Sequence, residues 1–255
     1  MRYFSPEEIK KTNRAEVKNS LRHHIGKNLQ DQFAVNLTKR CLADFGWDRD
    51  NAILDLGPAS GVFARQIHNF DHLRIFGVDI DNYLADENRS LFTEFKTADL
   101  SFEPIPWPDN FFNLVTAWCV LPHLENPFQA IREIRRVLKP GGIFIFTAPN
   151  LSSRASADYF TKHCDFGSYH KDNNHLVVFT RSLIEKTILE HFDLLAAEYP
   201  IRGKILNRGA KGLLRKTIYN LAKKISPGLR LLLEKRWAYN AAYVLKKKDL
   251  SDNTN

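Results

Sequence analysis

Between residues 53 and 199 the chain alternates short apolar runs with helical patterns, and that alternation leaves few folds open. The runs are ILDL (53–56), IFGVD (75–79), FKTAD (95–99), FNLVTAWC (112–119), GIFIFTAP (142–149) and FDLLAAEY (192–199). Runs of this length that are apolar on successive residues suit strands covered on both faces, and helices between them make βαβ units with a parallel sheet. Between the fourth and fifth runs, PFQAIREIRRVLKPGG sets Phe128, Ile131, Ile134, Val137 and Leu138 on one stripe, which predicts a helix stopped by Pro140-Gly141-Gly142. Residues 6–46 read as two or more helices ahead of the sheet, and AYNAAYVLKKK (238–248) as a last strand. The expected fold is α/β, a doubly wound, mostly parallel sheet of seven strands. Its divisions are an N-terminal helical cap (1–50), a core (51–199), a basic helical insertion (200–237), the last strand (238–248) and a disordered tail (249–255), with the cap and the insertion expected to close over the cleft.

The first run leads into a glycine loop, ILDLGPASGVF (53–63). A strand ending in Asp55 that turns through Gly57 and Gly61 into a helix lets backbone approach a ligand closely, with helix N–H groups aimed at it. That suits a nucleotide-like ligand. The dinucleotide fingerprint needs glycines at the first, third and sixth loop positions; these are Gly57, Ala59 and Val62 here, so the spacing D-x-G-x-(G/A)-x-G fits better. Asp79 closes the second strand 22 residues after Gly57, where a doubly wound fold places a carboxylate for ribose hydroxyls. A third strand is expected to end in Asp99.

With these residues in place the sequence resembles the class I S-adenosylmethionine-dependent methyltransferases, from about residue 50 to 199. Beyond LDLGPASG and GVDID, the run PIPWPDNFFNLVTAWCVLPHLENPFQAIREIRRVLKPGGIFIFTAPN resembles the small-molecule branch of that family, known as methyltransferase type 11. The resemblance implies a Rossmann-like methyltransferase fold. It implies that Asp55, Gly57, Ala59 and Gly61 wrap the methionine part of the cofactor, that Asp79 binds the ribose hydroxyls and that Ile80 packs on adenine. It further implies that Asp99 and Leu100 meet the adenine edge and that Trp118 and Cys119 line the sulfonium pocket. Three positions depart from the pattern: Ala59 replaces the middle glycine, Asn113 an aspartate, and Pro122 the glutamate before His123. Related quinone O-methyltransferases carry an acidic metal-binding cluster near VLPHLENP; most of it is missing here, so no metal is expected.

Methyl transfer from a sulfonium asks chiefly for alignment, and positioning alone supplies roughly 7–11 kcal/mol of barrier. A base adds about 10²- to 10⁴-fold where the acceptor is a hydroxyl. Candidates come from FTKHCDFGSYHKDNNHLVVFT, where His163, Tyr169, His170 and His175 cluster; His175, His170 and Tyr169 are the expected catalytic group. His123 reads as a histidine held at a helix start. The expected reaction is metal-independent O-methylation of a small-molecule or lipid-linked acceptor. An RNA methyltransferase and a non-catalytic S-adenosylmethionine-binding protein are the alternatives.

The net charge of +8 is uneven. Residues 202–255 hold 14 Lys and Arg against 3 Asp and Glu, whereas residues 1–201 hold 23 against 26. Within the basic quarter, GLLRKTIYNLAKKISPG carries Leu214, Ile218, Leu221, Ala222 and Ile225 on one helical stripe with Arg215, Lys216, Lys223 and Lys224 off it, and LRLLLEKRW follows. Three readings stand: a lid that buries its stripe, an interfacial helix touching an anionic membrane through residues 204–237, and a nucleic-acid contact, the last disfavoured by few aromatics. The start MRYFSPEEIKK has no apolar core of a signal peptide, and no apolar run approaches the ~18 residues a spanning helix needs. The expected location is cytoplasmic, peripheral at the inner membrane face if the interfacial reading holds. Cys41, Cys119 and Cys164 are spaced for neither a zinc site nor a disulfide framework.

Overall fold

The computed structural model describes residues 5–23, 29–44, 51–70, 73–169, 174–201 and 209–249. Two helices, α1 (Pro6–His23) and α2 (Leu29–Asp44), precede the sheet. Ser5 and Glu8 form a capping box at the start of α1, with the Ser5 amide donating to the Glu8 carboxylate at 2.8 Å and the Glu8 amide to the Ser5 hydroxyl at 3.2 Å. Then come β1 (Asn51–Leu56), α3 (Val62–Ile67), β2 (Leu73–Asp79), a single turn α4 (Asp86–Arg89), β3 (Glu94–Thr97), β4 (Phe112–Ala117), α5 (Pro127–Val137) and β5 (Leu138–Pro149). The chain closes with α6 (Arg154–His163), α7 (Arg181–Thr187), β6 (Phe192–Glu198), α8 (Gly209–Ile225), α9 (Pro227–Trp237) and β7 (Asn240–Lys247).

The sheet has seven strands in the order β3-β2-β1-β4-β5-β7-β6, with β7 antiparallel to both its neighbours and the other pairings parallel. The order reverses between β1 and β4, which leaves a crevice at their carboxyl ends. Alternate residues of β1 face opposite sides. Leu54 and Leu56 join Phe76, Ile131, Ile134 and Ile184 in one core, while Ile53 joins Leu37, Ala64, Ile67 and Ile75 in the other. Burying side chains of this kind stabilises the fold by about 1.5–3 kcal/mol each, so both faces of β1 must stay apolar.

Three local expectations change. The helix α5 starts where expected, its N-cap Asn126 accepting from the Gln129 amide at 3.2 Å, but it ends at Val137, and Leu138 already pairs with Phe112 as strand. Pro140-Gly141-Gly142 therefore does not stop a helix; it forms a bulge inside β5, where Leu114 pairs with Ile143 and Gly141 takes φ 68. The third strand ends at Thr97, so Asp99 lies in the turn beyond it.

The insertion is helical as expected, but its stripe is not covered. Only Ala222 is buried, at 1% exposure, while Leu214, Ile218, Leu221 and Ile225 are exposed. That removes the reading of a lid burying its stripe on its own core. Residues 202–208 of the insertion and 250–255 of the expected tail lie outside the described residues. No helix among the described residues is long and apolar enough to cross a membrane.

Candidate active site

The turn after β1 is built from left-handed backbone. Gly57, Ala59 and Gly61 take φ 62, 49 and 81; the Gly57 amide donates to the Val78 carbonyl at 2.8 Å, tying the loop to the end of β2. A Cβ on Gly57 would lie 2.7 Å from Val120 Cγ2, and one on Gly61 2.9 Å from Asn88 Cβ, so both positions need glycine for φ and for space. Ala59 holds a conformation that costs a side-chain residue about 1–2 kcal/mol.

Beside this turn lies a cavity of about 560 Å³, in the size range of small-molecule and cofactor sites. Of the ten residues expected at a cofactor, Gly57, Ala59, Asp79, Ile80, Asp99, Leu100, Trp118 and Cys119 line it. The other two act from behind: Gly61 caps α3, and Asp55 is buried under the loop with its carboxylate accepting from the Thr116 hydroxyl at 2.9 Å. Asp79 accepts from the amides of Ile80 at 2.8 Å and Ala59 at 3.3 Å. Burial pushes Asp55 up to about 7 and Asp79 up to about 6; the amide donors oppose the rise at Asp79.

The donor set fits S-adenosylmethionine. A half-buried carboxylate at the end of β2 suits hydroxyl donors, and the glycine turn is a cradle a Cβ would fill. The Trp118 indole N–H is buried with no hydrogen-bond partner among the described residues, its ring 5.4 Å from that of Phe63. Cys119, at φ 58, takes its amide to the Thr147 hydroxyl at 2.8 Å and its sulfur lies 3.8 Å from Asn240 Nδ2.

The N-terminal cap reaches the cavity, through residues that the sequence did not single out. Glu8, Ile9, Thr12 and Asn13 of α1 close the cavity with Tyr83, His123, Leu124, Asn174 and Leu176. The α1 helix is held there by an Arg14–Asp81 ion pair and by the Tyr83 hydroxyl donating to the Lys10 carbonyl at 3.4 Å. The expectation that the insertion also closes over the cleft fails: no described residue of α8 or α9 lines the cavity.

The expected catalytic group is only partly assembled. His175 and Tyr169 sit together, ring centroids 5.3 Å apart, with His175 Nδ1 on the Ser168 carbonyl, but neither lines the cavity. Burial pushes Tyr169 up to about 12. His163 packs on Tyr159 in α6, 4.3 Å between centroids, away from the site. His170 lies outside the described residues. It is His123 that faces the cavity. Its ring rests 4.4 Å from that of His175, and its Nδ1 donates to the Asn174 carbonyl at 3.1 Å. Burial pulls His123 down to about 4, so it is a neutral imidazole at neutral pH. Sequence carried a weak signal for it: the residue follows Pro122, whose carbonyl receives the Leu176 and Val177 amides at 2.7 and 3.2 Å and so brings the two segments together.

A doubly wound sheet with a glycine turn, a carboxylate ending β2 and a cavity at the switch point defines a nucleotide-cofactor domain. Residues 54–146 match the family model described as methyltransferase domain. Residues 54–146 thus carry a domain of the class I S-adenosylmethionine-dependent methyltransferases. It is 36% identical over 98 residues to the sterol 24-C-methyltransferase of Gibberella zeae, covering 36% of this chain and 26% of that protein. It is 31% identical over 175 residues to the ubiquinone/menaquinone biosynthesis C-methyltransferase of Pseudomonas aeruginosa, covering 60% of this chain and 66% of that protein. The chain thus spans between about a quarter and two thirds of the length of these relatives. Among solved structures, the cyclase SpnF superposes with a TM-score of 0.61 at 20% identity, over 95% of this chain and 96% of its own, a likeness of fold alone.

Proposed function

We propose that this protein transfers a methyl group from S-adenosylmethionine to a hydroxyl of a small or lipid-linked acceptor, without a metal. The observation that carries the reading is that Asp79, Asp99, the glycine turn and His123 line one cavity. When bound, the cofactor supplies a methyl already activated by its sulfonium centre. Asp79, held by two backbone amides, takes the ribose hydroxyls; Ile80 and Leu100 pack on the base; Asp99 meets its edge. Trp118 and Cys119 wall the methionine end, which the glycine turn approaches with bare backbone.

On the acceptor side, His123 donates a hydrogen bond from Nδ1 to the Asn174 carbonyl, which leaves Nε2 as an acceptor. Nε2 receives the hydroxyl proton of the acceptor and orients its oxygen. With its titration near 4 it is a weak base, so its contribution is alignment first and proton removal second. The α1 wall excludes water. The named relatives methylate carbon; oxygen is proposed here because a neutral imidazole that offers Nε2 as an acceptor suits a hydroxyl.

Incubation with labelled S-adenosylmethionine and heat-treated cell extract, later separated into lipid, RNA, protein and small-solute fractions, tests this. Label is expected in an alkali-stable ether of the lipid or small-solute fraction. Label confined to RNA, or on carbon, would overturn the acceptor reading.

A further inference from the structure

Among the described residues, the most exposed large apolar side chains lie on the α8–α9 pair, outside the cavity lining. Leu214 is 61% exposed, Leu221 57% and Ile225 63%, and Ile218 shares their stripe. On α9, Leu231 and Leu232 are exposed as well, the latter at 61%. The helices are not loose. Tyr219 donates from its hydroxyl to Glu234 at 2.6 Å, Arg230 pairs with the same carboxylate at 2.9 Å, and Ala222 is buried. The surface is therefore fixed in shape with its aliphatic side chains turned outward.

Charge decides what such a surface meets. Residues 209–237 hold eight Lys and Arg and one acidic residue, Glu234, whose carboxylate is already taken within the pair. A second copy of this chain docking by the same face would set these cations against their own duplicates. Single-stranded nucleic acid needs aromatic faces to stack on, whereas the outward side chains here are Leu and Ile. A bilayer with anionic headgroups satisfies both features, apolar side chains entering the acyl boundary and lysines meeting phosphate.

We propose that the α8–α9 pair is a docking surface for anionic membrane lipid. Its placement gives the docking a use. The buried Asn150, just past the end of β5, donates to the Lys235 and Ala238 carbonyls at 2.7 and 2.9 Å, and Asn240 of the next strand reaches Cys119 in the cavity wall. The pair hangs from the sheet edge that carries the cavity, so a membrane-borne acceptor is presented at that edge. The docking stands apart from methyl transfer; only the choice of acceptor rests on the function proposed above.

The test is sedimentation of the full-length protein with vesicles of phosphatidylcholine and phosphatidylglycerol, against phosphatidylcholine alone. Pelleting is expected with the anionic vesicles, falling at least about tenfold in partitioning for the doubly substituted Ile218→Asp, Ile225→Asp protein and again for Lys223→Glu, Lys224→Glu. S-adenosylhomocysteine binding, measured on the same samples, should be unchanged and reports the fold and the cofactor site separately. Protein that binds S-adenosylhomocysteine but ignores anionic vesicles would overturn the docking, as would pelleting indifferent to both variants. A dimer dissolved by the apolar variant, or RNA displacing the protein from vesicles, would also overturn it.

Discussion

Asp55 is buried beneath the glycine turn with the Thr116 hydroxyl as a partner, and burial moves its carboxyl from 3.8 to about 7. The folded chain holds this proton more tightly than the unfolded one, so the stability it contributes is complete below about pH 4 and is lost as pH rises through about 7. The isosteric Asp55→Asn keeps the acceptor for Thr116 and removes the ionisation. Urea midpoints should fall between about pH 5 and pH 8 in the parent protein, with most of that fall absent in Asp55→Asn; equal falls in both would contradict the assignment. His123 yields the second prediction at this scale. His123→Ala should lower kcat by about 10²- to 10⁴-fold with cofactor affinity unchanged. Since burial holds the imidazole neutral down to about 4, the parent rate should show no acid limb from this group near 6. Sequence identified the carboxylates because each follows an apolar run at a strand end. It missed His123, because what makes that ring a cavity residue is the docking of residues 174–177 on Pro122, a contact between segments some fifty residues apart.

Elements were legible where one periodicity ruled and illegible where two overlapped. At Leu138 the helical stripe of α5 and the strand pattern of β5 share a residue, and the glycines beyond it look alike as a helix stop or a bulge. The stripe of α8 was read correctly as a stripe; periodicity names a face but not what lies against it. That the N-terminal helices cap the cleft was legible, but not which residues of α1 do so, since Glu8, Ile9, Thr12 and Asn13 reach the cavity through contacts of α1 with residues near 81–83 and 174. A lid fastened by an exposed ion pair is poised to open, and the pair itself adds little to global stability. Arg14→Ala should therefore release S-adenosylhomocysteine several-fold faster in stopped-flow chase with the melting temperature almost unchanged. A large loss of melting temperature, or an unaltered release rate, would show that α1 is not fastened this way.

At the scale of the whole molecule, a near-neutral α/β domain carries its cavity at the switch point of the sheet, and a basic helical pair is spliced between β6 and β7 at the same carboxyl edge. The domain was legible because six apolar runs with helices between them admit one architecture and right-handed crossovers fix its winding. The fold by itself does not choose the reaction, as its likeness to a cyclase illustrates; the claim rests on the cavity and on Asp79. Calorimetric titration of S-adenosylhomocysteine into the protein and into Asp79→Ala tests that claim most directly. Burial holds the Asp79 carboxyl near 6 until hydroxyl donors arrive, and those donors favour the ionised form. Affinity in the parent should accordingly rise as pH increases through about 6 and then level. Asp79→Ala should bind about 10- to 100-fold more weakly, the worth of a charge-assisted hydrogen bond, with no such rise. No binding by the parent protein, or equal and pH-independent binding by both, would contradict the account.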